Sequence, residues 1–147
     1  RFLLVPDDAR QRLADAFGRA LKERDPSATQ EELSKAMEKA HRAPTLLIAI
    51  VRTDGDPGSE IPPLERVVSF GAAIQNMLLG VHAMGFGAGL TSGKAMESRP
   101  MRELCSLGEH EHAVCCVNIG TVTTARPPRG NRKKPAEILQ VMQGPRA

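Results

Sequence analysis

The sequence predicts a three-layer α+β domain, with helices packed on both faces of one sheet. Apolar runs that read as covered strands alternate with segments of helical period. The covered strands are few and their connections vary in length. No G-x-G-x-x-G opens a helix after the first strand, so a doubly wound dinucleotide-binding fold has little support. With 147 residues, 41% of them hydrophobic and 25% charged, the chain suits a single domain over 1–147 with a genuine core. Such a composition excludes disorder as the main state.

The elements follow in order. Phe2 to Val5 is a short apolar run ended by Pro6, as a buried strand would be. Asp7 or Asp8 is expected to cap a helix whose Leu13, Phe17 and Leu21 recur every four positions, stopping before Pro26. Ser27 or Thr29, with Glu32 three residues after the threonine, opens a second amphipathic helix carrying Leu33, Met37 and Ala40 on one side. After Pro44, TLLIAIV is the continuous run of a strand covered on both faces, and the turn residues of RTDGDPGSEIPP end it. From Leu64 to about Met84 runs the longest helix, apolar around most of its circumference, with Glu65, Ser69, Ala72 and Asn76 as a narrow polar stripe. Such a helix is expected to be buried in a large core or against a partner chain. FGAGL reads as a short strand, SRPMRELCSL as a short helix capped by Ser98 with Pro100 in its first turn, and HAVCCVNIGT as a buried strand closed by Gly120. A turn or two of helix is predicted in PAEILQVM, within a basic, proline-rich extension over 122–147.

Composition excludes several functions. No apolar run approaches bilayer length, so no membrane partner is expected, and a cytoplasmic protein is the expectation. Cys105, Cys115 and Cys116 have no metal-ligand spacing and read as buried free thiols. The net charge of +3 is too small to argue for nucleic acid, and the basic tail around Arg126, Arg129, Arg132, Lys133 and Lys134 has no interleaved aromatic residue, so it reads as solvated. The chain opens at Arg1 without methionine and enters a strand at once, so an N-terminal part is expected to precede it.

Side-chain chemistry is thin. Ser92 lies in TSG rather than in a G-x-S-x-G elbow. The EHEH run over 109–112 would place His110 and His112 on one face of a strand and Glu109 and Glu111 on the other, with no third ligand at a recognised spacing, so no metal is expected. His82 ends the long helix, where the dipole favours a cation, and His41 belongs to a linker. A chain without a credible acid, base or nucleophile is a binding module or leaves its chemistry to a cofactor. The stretch AMGFGAGLTSG, with Gly85, Gly87, Gly89 and Gly93 just after the long helix, favours the second reading, because a flat ring lying against the main chain needs small residues and free amides.

RAPTLLIAIV, then IPPLERVVSFGAAIQNMLLGVHAMGFGAGLTSG, then VNIGT resemble the successive landmarks of the nitroreductase family, especially its small YdjA-like branch. The likeness spans Arg1 to Thr121, and RFLLV resembles the strand after that family's Q-P-W segment. The resemblance implies a central, mostly antiparallel sheet, a long buried central helix, and a homodimer holding FMN between subunits. It also implies reduction of nitro compounds, quinones or similar small-molecule acceptors with NADH or NADPH, hydride passing through flavin N5 and no catalytic side chain. Leu90, Thr91, Ser92 and Gly93 would lie beside the flavin, and Arg129 and Arg132 would approach its phosphate. Two departures stand out: the family's R-R-S motif has no counterpart here, so FMN binding by a chain lacking it is expected to be weak, and Leu90 stands where relatives often carry Trp. Three alternatives stay open: a flavin-site relative with other oxidative or dehalogenating chemistry, a dimeric binding protein without catalysis, and a nucleic-acid-associated protein using the basic tail.

Overall fold

The computed structural model describes residues 1–55, 58–124 and 133–142. Its centre is the antiparallel pair β2 (Thr45–Arg52) and β4 (Glu111–Gly120). β1 (Phe2–Leu4) flanks β2 and β3 (Gly87–Thr91) flanks β4, giving one antiparallel sheet in the order β1-β2-β4-β3. Continuous apolar runs are common in parallel sheets. Here the direction is antiparallel, and the runs arise because helices cover both faces. On one face Leu46, Ile48 and Ile50 join the core beneath α1; on the other Leu47 and Ala49 meet α3.

Ala49 pairs with Cys115 but Ile50 pairs with Ala113, so Val114 is the extra residue of a β-bulge. The bulge resets the alternation. Ala113 and Cys116 therefore share the α1 side while Cys115 and Val117 share the α3 side. All three cysteines are buried and free, and desolvation pushes the Cys116 thiol up to about 12.

The first layer contains α1 (Arg10–Arg24), α2 (Gln30–Glu38) and α4 (Arg99–Leu104). Leu13, Ala14, Ala16, Phe17 and Ala20 form the buried stripe of α1. The expected cap at Asp7 or Asp8 is not made: Pro6 to Ala9 closes a 3₁₀ turn first, Ala9 occupies the cap position, and no side chain bonds the helix start. Thr29 does cap α2, in a reciprocal box. The Glu32 amide donates to Thr29 Oγ1 at 3.3 Å and the Thr29 amide to Glu32 Oε2 at 2.9 Å, which holds the Glu32 carboxyl below its ordinary pKa. Ser98 Oγ accepts from the Met101 amide at 3.4 Å at the start of α4. Arg10, 5% exposed, donates to the carbonyls of Ala40 at 2.9 Å and Pro44 at 2.7 Å, fixing the chain between α2 and β2. A single helical turn, α5 (Pro135–Ile138), lies in the C-terminal extension.

The other layer is α3 (Pro63–Ala83). Phe70, Ile74, Met77 and Leu78 rest on Ala49, Cys115 and Val117, and Phe70 stacks on Phe2 with ring centroids 5.4 Å apart. Burial of the helix's whole circumference, expected in a large core or against a partner chain, is not supplied by the described residues. Ile74 alone is buried, whereas Leu64 and Val68 are 73% and 66% exposed and Leu79 also faces solvent.

At the sheet's margin, Arg1 forks onto Glu111, donating from Nε to Oε1 at 2.7 Å and from Nη2 to Oε2 at 2.8 Å, while the Gly108 amide donates to Oε2 at 3.1 Å. These bonds, the guanidinium first, hold the Glu111 carboxyl down at about 2, below its ordinary 4.5. A folded-state pKa below the unfolded one adds stability that is complete above the unfolded value and disappears as pH falls through the folded value. The unfolding temperature should therefore fall between pH 4.5 and about 2, and Glu111→Gln should flatten that portion of the profile while lowering the neutral-pH midpoint, as read by circular dichroism.

Candidate functional site

The four glycines after α3 have separate causes. Gly85, at φ +84°, terminates the helix: its amide donates to the His82 carbonyl at 2.9 Å and the Phe86 amide to the Val81 carbonyl at 3.1 Å, the paired bonds of a Schellman cap. Gly87 lies opposite Gly120 in the ladder, and a Cβ there would run into Val122 Cγ2. Gly89 and Gly93 differ from both, since a Cβ at either would meet nothing within 4 Å. Gly93, at φ +138°, turns the chain out of β3 into the 3₁₀ segment Lys94–Glu97, a backbone region that only glycine enters without strain.

β3 is an edge strand with solvent-reachable peptide groups. Leu90 pairs with Val117 and so faces the α3 side, continuing the exposed apolar surface of that helix through Met84 and Phe86; Thr91 pairs with Cys116 and faces the α1 side. Ser92 is exposed. On the α1 side Thr91, Ser92 and Gly93 border a cleft of about 600 Å³ whose opposite walls are α1 and α2. A shallower hollow of about 360 Å³ runs beside Gly87, Gly89 and Asn118. The structure thus brings Leu90, Thr91, Ser92 and Gly93 together at one strand end. Arg129 and Arg132 lie outside the described residues.

Asn118 was not among the residues singled out from the sequence. Its Nδ2 donates to Thr91 Oγ1 at 3.0 Å and lies 3.4 Å from the Gly89 carbonyl, while its buried Oδ1 has no partner. The signal available was a lone amide interrupting the apolar run VCCVNIG. The remaining candidates are dispersed. His82 is in the last turn of α3, and His41 ends the 3₁₀ segment Lys39–His41. The carbonyl of His110 accepts from the Thr53 amide at 3.0 Å, and Glu111 serves Arg1. Among the described residues no group of three or more His, Cys, Asp or Glu is placed to hold a metal ion, and no helix is long and apolar enough to cross a membrane.

An antiparallel sheet between one long helix and a helical layer, with a bare glycine-rich edge strand, defines a class of α+β domain. Residues 1–121 match the model of the nitroreductase family, and the chain belongs to that family. A Haemophilus influenzae protein named as an NAD(P)H nitroreductase is 28% identical over 120 residues, which are 82% of this chain; the chain spans 64% of that relative's length. The solved nitroreductase-like family protein of Bacillus cereus superposes with a TM-score of 0.75 at 21% identity, over 98% of this chain and 73% of its own. An iodotyrosine deiodinase solved with FMN and 3-iodo-L-tyrosine shares the fold with a TM-score of 0.60 at 16% identity, over 91% of this chain and 72% of its own.

The Asn118–Thr91 bond ties the free edge strand to the sheet interior by a side chain. Asn118→Val should speed amide exchange of residues 87–93 by roughly fivefold, the weight of about one net hydrogen bond, while global stability changes by less than about 1 kcal/mol because a buried unsatisfied oxygen is removed with it. Hydrogen-exchange mass spectrometry beside a denaturant titration reads both.

Proposed function

We propose that this chain belongs to an FMN-dependent oxidoreductase that uses NADH or NADPH to reduce nitro compounds, quinones or similar acceptors. The observation that carries the reading is the open approach to the backbone at Gly89 and Gly93, flanking Leu90, Thr91 and Ser92 on a strand edge unpaired among the described residues. A flat ring system fits there, since no Cβ obstructs it and peptide amides are left free to donate. The bound flavin, when present, supplies the hydride acceptor and donor at its N5 atom, so the protein needs no general base.

The chain's own groups then have defined tasks. Amides of the Leu90–Gly93 segment would be the donors toward the ring edge of a bound flavin, and a fixed donor at roughly 2.7–3.1 Å is the arrangement that stabilises negative charge. Gly93 allows the turn that aims them, and Asn118 holds Thr91 in place beneath. Leu90 offers an apolar surface in place of an aromatic one. Arg129 and Arg132 are assigned to the flavin phosphate, and the apolar side of α3 to a second copy of the chain, with the flavin at the seam between them. The name of the Haemophilus influenzae relative and the FMN of the deiodinase support the cofactor and the donor; the acceptor class rests on the family resemblance.

The full-length protein is expected to purify yellow, with flavin absorption that bleaches on anaerobic addition of NADPH or NADH and returns with a nitroaromatic or quinone. Gly93→Ala, strained at φ +138°, should lower unfolding stability by about 1–3 kcal/mol and, through its methyl group at the ring's approach, also weaken flavin retention, as thermal melts and flavin content read. Gly89→Ala, in open space at ordinary φ, should leave unfolding within about 0.5 kcal/mol yet still weaken flavin. A colourless full-length dimer, or a flavin that reduced nicotinamide does not bleach, overturns the reading.

A further inference from the structure

We propose that the cleft between α1, α2 and the Thr91–Met96 segment is a binding site for a small organic anion, an apolar or aromatic body bearing a phosphate or carboxylate. At about 600 Å³ the cleft is of small-molecule size. Phe17, Leu21 and Met96 supply an apolar lining. Five cations also line it: Arg24, Lys35, Lys39, Arg42 and Lys94. Against them stands one carboxylate, Glu32, already committed to Thr29 in the helix cap.

What sets this place apart is the gathering of five cations around one apolar-lined concavity. Several arginines elsewhere are ion-paired, Arg1 with Glu111, Arg19 with Glu103 and Arg99 with both Glu23 and Glu103, while among the described residues Arg12, Arg66 and Arg102 stand unpaired but apart from one another. In the cleft only Lys35 has such a partner, Glu31, and among the described residues Arg24, Lys39, Arg42 and Lys94 enter no ion pair. Unpaired like charges around an apolar concavity repel one another and focus a positive potential, which an anionic ligand relieves. Apolar lining and cationic rim together select a molecule with both parts, rather than a free ion or a plain hydrocarbon.

The cleft meets the reaction site without duplicating it. Thr91 faces the cleft while Leu90, its neighbour, faces the α3 side, so β3 separates the two and Ser92–Gly93 joins them around its end. The anion's role as the charged end of the electron donor or acceptor rests on the proposed flavin reading; the binding itself does not.

Calorimetric titration of the full-length protein, with and without saturating FMN, against 1-naphthyl phosphate, 1-naphthoate and neutral 1-naphthol tests this. Both anions are expected to bind about tenfold or more tightly than the alcohol, the size of a charge-assisted contact, and the tighter of the two identifies the head group. Raising salt from about 0.05 M to about 0.5 M should erode that preference through screening and leave the alcohol unchanged. Lys39→Gln with Arg42→Gln should lose the anion preference at unchanged unfolding temperature, whereas Arg12→Gln, an exposed cation outside the lining, should not. Equal affinity for the alcohol, indifference to the double substitution, or competitive displacement by FMN each overturns the proposal. Charge-dependent binding by a protein that takes up no flavin would uphold the site and sink the flavin reading; a flavoprotein bleached by NADPH that ignores both anions would do the reverse.

Discussion

The structure depends on two strands, β2 and β4, that are apolar on both faces and paired along almost their whole length. Antiparallel pairing alone satisfies their peptide groups, but it leaves two greasy surfaces that water disfavours at about 25 cal/mol per Å². Each surface demands its own layer of helix. One is closed by α1, α2 and α4, with Leu13, Leu46, Ile48, Ile50 and Met101 fully buried between them. The other is closed, among the described residues, by α3 alone, a single cylinder laid on a sheet, and that asymmetry shapes everything around the candidate site.

Those features written as periodicity were legible in the sequence. Thr29 and Glu32 announced α2, Ser98 and Pro100 announced α4, and the two covered strands were visible as unbroken apolar runs. Where local rules compete, structure and sequence pattern part. Asp7 and Asp8 are good capping residues, but the extended Pro6 and the 3₁₀ turn behind it move the helix start to Ala9, out of their reach. The bulge at Val114 was invisible, because an apolar run does not say which face a residue takes until its partner strand is known.

The glycine-rich stretch shows the limit most clearly. Four glycines in one segment suggested one cause, and the structure divides them: Gly85 caps a helix, Gly87 avoids Val122, and Gly89 and Gly93 leave backbone bare. Sequence spacing cannot separate these, since each depends on what lies across space. Asn118 and the cationic cleft were missed for the same reason. The lining cations come from α1, α2, the loop after α2 and the turn after β3, and read individually each is an ordinary solvated charge.

The apolar circumference of α3 predicted burial, and the described residues provide it on one side only. Leaving Leu64, Val68 and Leu79 largely in water forgoes about 1–2 kcal/mol apiece relative to full burial, a sum that is sizeable beside the 5–15 kcal/mol that holds a whole domain. The same surface runs through Met84 and Phe86 to Leu90, so whatever covers α3 also abuts the strand edge where backbone is bare. On the proposed reading a second copy of the chain does the covering. Folding, association and cofactor capture then share one surface, and a flavin pressed between Leu90 and the partner would add its own buried area to the seam. On that reading the bare turn at Gly93 matters most, because it carries the chain around the end of β3 at the edge of the seam without a side chain.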